Sequence, residues 1–348
     1  MTAMLNVSSD TLFSFTFGVL RAIGSPDENA RVVADHLVGA NLAGHDSHGA
    51  LRLFQYREHV LDGTLDPAAL PRIVRETTTT AVLDGNLAWG QVVAKIAMDL
   101  AIERAKEHGL AAVVVRNCYH VGRVGVYPLM AARSGLIAQV FCNAHGIVRV
   151  APWGGTDPKL ATNPISIAVP TRTDPVLLDI TTSVVAEGKV RLAKLSGKPI
   201  PDDWILDRDG NPTTNPEDLY SGGTLLPFGG RQAHKGYGLG VIVELLGGVL
   251  SGAGVGAMAE KIGNGLFIQV VDPAALSDRD VFLDRAEAFR AYIKESKPKP
   301  GVEEVFLPGE PEQRTEATRR RDGVPIAQPT LEKLNALADE LGIDRIET

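Results

Sequence analysis

The sequence predicts an α/β protein: a central α/β domain built on a mixed sheet, flanked by a helical module made from both ends of the chain. Three observations carry this. Apolar residues recur at helical spacing before residue 62 and again after residue 330. Between these segments the pattern alternates between long helical repeats and short β-branched runs. No period of self-similarity links the two regimes. The expected division is residues 1–75 with 305–348 for the helical part and 76–304 for the α/β part.

Taken in order, Ser9-Asp10 caps a helix running to Ala22 and closed by Gly24. Ser25-Pro26-Asp27-Glu28 reads as a capping box opening a second helix, which buries Val32, Val33, Leu37 and Ala40 and ends near Gly44. A third helix, Ala50 to Leu61, follows Ser47-His48-Gly49, so His48 lies in a helix–helix connection. Strands are expected at Arg72–Arg75 and Thr77–Leu83. A long helix, Gln91 to Glu107, then leads into an apolar strand from Leu110 to Val115. That strand, a short helix over Val126–Ala132 and a strand over Leu136–Phe141 form a β-α-β-like unit. Further strands are expected at Ile165–Val169, Val176–Ile180 and Leu266–Val271, and helices at Val184–Leu195, Gly236–Leu250 and Arg279–Glu295. Gly197–Arg231 reads as loop, and Thr330 caps a last helix to Leu341.

Of 348 residues, 44% are hydrophobic and 22% charged, and the net charge is −7. A soluble globular protein has this balance, and nucleic-acid binding, which needs a basic face, is disfavoured. Arg319-Arg320-Arg321 is diluted by Glu312, Glu316 and Asp322 and reads as a solvated helix face. Cys118 and Cys142 sit in strand-like sequence, implying two free buried thiols in a reducing compartment. The N-terminus shows no secretory signal pattern. The most apolar window, Gly236–Val255, carries Glu244 and a run of glycines and reads as a buried helix rather than a membrane span. The expectation is a cytoplasmic protein without a membrane partner.

Two segments carry the chemistry. Asp46-Ser47-His48-Gly49 precedes Arg52, and Cys118-Tyr119-His120-Val121-Gly122 precedes Arg123. A histidine moves a proton near neutral pH, and an arginine holds a carboxylate or phosphate in a planar fork. His120 falls just past the carboxyl end of a buried strand, where open α/β sheets place ligands. The bland alternatives are a gap-filling loop histidine for His48 and a helix cap for Ser47. His45-x-x-His48 lacks a third ligand at metal spacing, and the Asp207–Asn211 acids fail the calcium-loop spacing, so no metal is expected. Cys118 is read as turned inward rather than as a nucleophile. Thr162-Asn163-Pro164 offers a hydroxyl and an amide at a tight turn. Asp179-Ile180-Thr181 ends a strand, and the cations Arg231 and Lys235 at a helix start imply an anion between them. Gly252-Ala253-Gly254-Val255-Gly256-Ala257 looks like a dinucleotide turn but follows a helix, so any nicotinamide is held by a non-Rossmann fold.

Together these motifs, with Pro152-Trp153-Gly154-Gly155, Lys235-Gly236-Tyr237-Gly238 and Pro308-Gly309-Glu310, resemble the malate/L-lactate dehydrogenase family of the non-Rossmann type. The resemblance covers nearly the whole chain. It implies NAD- or NADP-dependent interconversion of 2-hydroxy and 2-oxo acids, with NAD favoured, or reduction of cyclic imino acids. It also implies a homodimer with an active site shared between subunits. Ser47 and His48 match a proton-donating pair, and Arg52 matches a contact to a substrate or cofactor anion. His120 matches an acid/base histidine, and Thr162 a substrate contact that we extend to Asn163. Cofactor contacts fall on His120, Val121, Gly122, Arg123, Val124, Ala144, Asp179, Ile180, Thr181, Lys235, Gly309 and Glu310. Ala144 stands where ureidoglycolate enzymes of the family have serine, and Lys189 where imine reductases have an aspartate.

Between the two histidines, His48 is favoured as proton donor, with Ser47 relaying, and His120 as a pocket residue. Two other classes are carried. A non-catalytic nucleotide- or anion-binding protein would need neither histidine. A metal-assisted hydrolase using His45, His48, Asp207 and Asp209 would reveal itself by bound metal. Apolar faces on both helical ends suggest an obligate homodimer.

Overall fold

A computed structural model describes residues 3–259 and 261–347. The chain begins with β1 (Met4–Val7), α1 (Ser9–Ala22), α2 (Asp27–Leu42) and α3 (Arg52–Leu61). There follow β2 (Arg72–Glu76), β3 (Thr80–Asp84), α4 (Gly90–His108), β4 (Leu110–Cys118), α5 (Val126–Arg133) and β5 (Ile137–His145). Next come β6 (Ile165–Val169), β7 (Val176–Ile180), α6 (Glu187–Leu195), β8 (Ile205–Leu206), β9 (Pro212–Thr213) and β10 (Thr224–Leu225). The last part holds α7 (His234–Val243), β11 (Gly263–Val271), α8 (Arg279–Lys294), α9 (Glu310–Asp322), β12 (Val324–Ala327) and α10 (Gln328–Leu341).

Seven strands form the main sheet in the order β2-β3-β4-β11-β5-β6-β7. Only β3 and β4 pair in parallel, and every other neighbour is antiparallel, so the sheet is mixed as expected. The β4-α5-β5 segment is not a closed β-α-β unit. β11 is inserted between β4 and β5 and pairs antiparallel with both. Its sequence, GNGLFIQVV, carries apolar side chains toward both faces, which suits the middle of a covered sheet. The ends of β4 and β5 therefore meet the start of β11, and the functional residues gather at that edge.

The two chain ends zip together. Met4 to Val7 pair antiparallel with Ala327 to Val324. Leu12, Val19 and Leu20 of α1, Leu37 of α2, Leu53 of α3 and Leu334 and Leu337 of α10 share one buried core, which also takes in Trp89 and Tyr119. Full burial of each such side chain contributes about 1.5–3 kcal/mol. A second core lies between the sheet and helices α4 and α5.

Three expected caps are formed differently. Ser8, not Ser9, accepts from the Thr11 N–H to cap α1. Ser25 does not form a capping box, because its hydroxyl accepts the indole N–H of Trp89 at 2.6 Å, tying α2 to α4. Helix α10 starts at Gln328, ahead of Thr330. Arg319 is not a solvated residue either: it pairs with Asp46 at 2.7 Å. The other two arginines pair with Glu316 and Asp322 on their own helix.

The apolar window from Gly236 divides into α7 and a π-helical continuation, Glu244–Leu250, packed against β5 and β11. The approach is close enough that a Cβ on Gly247 would stand 3.0 Å from the Asn143 nitrogen and the Gly265 carbonyl. Among the described residues no helix is long and apolar enough to cross a membrane. Both cysteines are free and buried, and burial raises both thiol pKa values.

Candidate active site

His120 follows the end of β4, as its position in the sequence required. The backbone there runs so close to the start of α4 that a Cβ on Gly90 would lie 2.2 Å from the Tyr119 carbonyl and 2.3 Å from that of His120. The His120 Nδ1 is 2.8 Å from the hydroxyl of Tyr56. Gln91 donates to that hydroxyl at 2.7 Å. With Gln91 donating, the Tyr56 hydroxyl keeps its own proton and can give it to Nδ1 or accept from an Nδ1–H, so it holds that ring nitrogen in either tautomer. Burial pushes the Tyr56 phenol up to about 12, which keeps that proton in place.

His48 sits in a one-turn 3-10 segment, Asp46–His48, between α2 and α3. The loop is held from behind. Asn41 donates to Asp46 at 2.7 Å and accepts the Ala50 N–H at 2.8 Å. Arg319 binds both carboxylate oxygens of Asp46, at 2.7 and 3.1 Å. Only glycine fits at position 49, where a Cβ would fall 2.1 Å from the Asn41 Oδ1.

The His48 and His120 rings stack, with centroids 5.4 Å apart and planes within 7°. Burial, then the positive charge of Arg52, lowers the His48 pKa to about 3 and that of His120 well below its usual value. Both rings are thus neutral near pH 7. Arg52 spends Nε on the Ser47 carbonyl at 2.7 Å and Nη1 on Gln55 at 2.7 Å, leaving Nη2 without a protein partner among the described residues. The expected Ser47–His48 relay does not form. The Ser47 Oγ makes no hydrogen bond among the described residues, and its Cβ faces Gly188 of α6 instead. His48 Nδ1 is buried without a partner.

The loop after His120 is anchored at alternate amides. The Val121 N–H donates to Asn264 at 2.9 Å, the Arg123 N–H to His36 Nε2 at 2.8 Å and the Gly125 N–H to Asp179 at 3.0 Å. Gly122 has φ +75, and a Cβ there would overlap the His36 ring at 2.3 Å. Val121 and Val124 bury their side chains in the sheet core, so their contacts to any ligand are through backbone. Arg123 Nε lies 3.5 Å from Asp179, an ion pair without a hydrogen bond, in a setting where burial raises the Asp179 pKa and Arg123 opposes the rise.

His36 was not singled out from the sequence. It is 7% exposed and neutral, with its pKa lowered to about 3 by burial and then by Arg123. Its signal was a histidine on the buried face of α2, spaced with Val33 and Ala40. Glu244 was also missed as a site-organising residue. It accepts from Asn163 at 2.8 Å and from Asn143 at 3.2 Å.

That network reassigns Asn163. Its side chain is fully buried and its amide is spent on Glu244 and on the Ala144 N–H, so it holds β5 and the turn rather than a substrate. Thr162 accepts from Thr182 through its carbonyl, and its side chain is part-exposed. Ile180 pairs with Ile165 in the sheet, and the Thr181 hydroxyl donates to the Ser183 carbonyl at 3.0 Å. Glu310 departs from expectation. Its carboxylate is taken by Lys294 at 2.7 Å, Arg290 at 3.4 Å and the Leu307 N–H at 3.0 Å, which fixes the start of α9. Gly309 packs its backbone on Leu177, two residues before Asp179. Lys235 is exposed on the first turn of α7 beside His234 and Arg231. The structure thus gathers His48, His120, Arg52 and Tyr56 in one cluster and Gly122, Arg123, Asp179 and His36 beside it.

A family profile described as malate/L-lactate dehydrogenase matches residues 7–335. The chain belongs to the malate/L-lactate dehydrogenase family. It is 40% identical to a malate dehydrogenase of Pyrococcus horikoshii over 98% of this chain and 96% of that protein. The sulfolactate dehydrogenase structure from Methanocaldococcus jannaschii superposes with TM-score 0.90 at 34% identity, covering 99% of this chain and 100% of the other. A Δ1-piperideine-2-carboxylate reductase structure from Pseudomonas syringae superposes with TM-score 0.85 at 30% identity, covering 96% and 100%. Membership makes this chain a hydroxy acid dehydrogenase that works with a nicotinamide cofactor. The residues present fit such a group. Arg123 stands against the buried Asp179 carboxylate, Arg52 has an Nη2 without a partner among the described residues, and buried nitrogens on His48 and Arg123 stand without hydrogen-bond partners.

Proposed function

We propose that this family member interconverts small 2-hydroxy and 2-oxo acids with NAD or NADP, using His120 rather than His48 as the acid/base. The Tyr56–His120 contact carries this reading. An acid/base needs a fixed ring, and His120 is the histidine of the pair whose second nitrogen is held. A hydroxyl both donates and accepts, so Tyr56 holds Nδ1 whether the ring is neutral or protonated and leaves Nε2 to face the reacting oxygen. The free edge of Arg52 takes the substrate carboxylate. That anion offsets the charge that, after burial, keeps protons off His120, so binding a 2-oxo acid raises the ring's proton affinity. His48, stacked on His120 and lacking an orienting bond, lines the pocket.

When bound, the nicotinamide supplies or accepts the hydride. Arg123 and Asp179, the backbone from His120 to Val124 and the segment around Ala144, Ile180 and Thr181 are the residues we assign to hold it, with Lys235 and the backbone of Gly309 at the periphery. The test compares His120→Ala and His48→Ala on a panel of 2-oxo acids and cyclic imines with NADH and NADPH. His120→Ala is expected to lower kcat by at least about a hundredfold and His48→Ala to act mainly on KM. The reverse pattern would return the proton to His48.

We further infer a homodimer, formed by a different surface from the one the sequence indicated. The helical ends bury their apolar faces against each other. Along α7 and its continuation, however, Ile242, Leu245, Val249 and Leu250 stay 45%, 49%, 59% and 58% exposed, with Met258 at 86% nearby. Such a stripe is covered by a second copy of the chain. Sedimentation of Val249→Glu should show monomer where the native chain shows dimer. The division into residues 1–75 with 305–348 and 76–304 remains our reading, with Trp89 and Tyr119 at the seam. Two free buried thiols support a reducing compartment such as the cytoplasm.

A further inference from the structure

His36 of α2 meets the loop that leaves β4 at its middle amide. It takes the Arg123 N–H on Nε2 at 2.8 Å. A backbone N–H only donates, so that nitrogen offers a lone pair and the neutral ring carries its proton on Nδ1. The ring also stacks on Tyr127 of α5, with centroids 5.6 Å apart and planes 29° apart, and the Tyr127 hydroxyl donates to the Val121 carbonyl. Within the loop the amides of Val121, Arg123 and Gly125 are spent on Asn264, His36 and Asp179. Gly122 and Val124 are buried as well, yet their amides find no acceptor among the described residues. Buried backbone N–H groups are almost always paired, so two left open between three anchored ones point to an acceptor on a ligand.

Of the three anchors, Asn264 lies on β11 and Asp179 on β7, both in the main sheet, and His36 alone reaches in from a helix of the N-terminal part. Its ring lies where a Cβ on Gly122 would stand, 2.3 Å from Nε2, so it fixes the turn sterically as well as through the hydrogen bond. A loop ordered before its ligand arrives costs less to bind. We propose that His36 is a positioning residue for the nicotinamide cofactor: by accepting the Arg123 amide it pre-forms the loop, and the open amides of Gly122 and Val124 are thereby set for the cofactor. The proposal rests on the cofactor assignment above and adds the residue that tunes its affinity. A histidine that only filled the core would give way to an apolar side chain of similar size with no effect on cofactor affinity. Asn41, five residues further along α2, holds the His48 loop through its own hydrogen bonds, so binding of the 2-oxo acid is expected to respond less.

The test compares the full chain with His36→Met, which removes the strong acceptor at similar size, and His36→Gln, whose Oε1 can accept the same N–H. Titration of NADH and NADPH fluorescence gives Kd without turnover. His36→Met should raise Kd for the preferred cofactor by about tenfold, raise KM for the 2-oxo acid less, and speed hydrogen exchange of the cofactor-free loop from His120 to Gly125. His36→Gln should recover most of the native affinity. Should His36→Met not fold in a melting scan, His36→Asn, polar but one methylene shorter than glutamine, carries the same expectation. A folded His36→Met or His36→Asn with native Kd overturns the His36 assignment alone, as does a His36→Gln that binds no better than they do. A native chain that binds neither NADH nor NADPH overturns the cofactor reading, and the His36 assignment with it.

Discussion

The hydroxyl of Tyr56 lies 2.8 Å from Nδ1 of His120 and takes a hydrogen bond from Gln91, so one side chain of α3 settles which imidazole nitrogen faces the site. Removing that hydroxyl in Tyr56→Phe should lower kcat by about ten- to a hundredfold with a smaller effect on KM, because the ring loses its hold while Arg52 is untouched. The stranded Gln91 amide should also cost roughly 1–3 kcal/mol of stability. Kinetics and thermal melting of one variant check both.

The rate should depend on pH in opposite senses for the two directions. In the free enzyme His120 is neutral because its pKa lies well below 6.5. Oxidation of a 2-hydroxy acid needs the neutral ring as base, so its kcat/KM should show no inflection near 6.5. Reduction of a 2-oxo acid needs the protonated ring, whose fraction in the free enzyme falls about tenfold per pH unit above the pKa, and kcat/KM should fall with it. A reductive profile flat from pH 6 to 8 would remove His120 from the proton's path.

Stability should drop on mild acidification. His36 and His48 have folded pKa values of about 3 against 6.5 when free, and His120 is shifted the same way. Between those limits the unfolded chain binds the protons that the folded chain refuses. Their contribution is therefore intact above about pH 6.5 and is lost as pH falls toward 3, at up to about 1.4 kcal/mol per histidine per pH unit. Melting temperatures from pH 7.5 to 5 should decline steadily, and His36→Phe should flatten the slope if the variant folds.

Glu244→Ala should destabilise the protein more than Glu244→Gln. Alanine takes one acceptor from each of the buried amides of Asn143 and Asn163, at roughly 2–4 kcal/mol together, leaving them the Gly254 and Gly240 carbonyls, whereas glutamine keeps one acceptor. Chemical denaturation of the two variants tests the order.

What was legible in the sequence was local. Helix α4 and strands β6 and β7 announced themselves through apolar spacing and flanking turns, and the segments around His48 and His120 through residue type. Partnerships across long sequence separations were not legible. Nothing near residues 110–141 indicates that β11 lies between β4 and β5. Ser25 looked like a helix cap because Trp89 is far off in sequence, and Asn163 looked like a ligand contact because Glu244 is equally distant. His36 was hidden for another reason: on a buried helix face a ligand-loop support and a core filler have the same spacing.

The Asp46–Arg319 pair joins residues 273 positions apart. During synthesis the chain is made from its N-terminus, so the loop bearing His48 emerges long before the arginine that holds it from behind. A ribosome-bound chain halted before α9 also lacks β12 and α10, and with them the partner of β1 and part of the terminal core. A prematurely terminated product therefore has its histidines in sequence but its His48 loop unbraced.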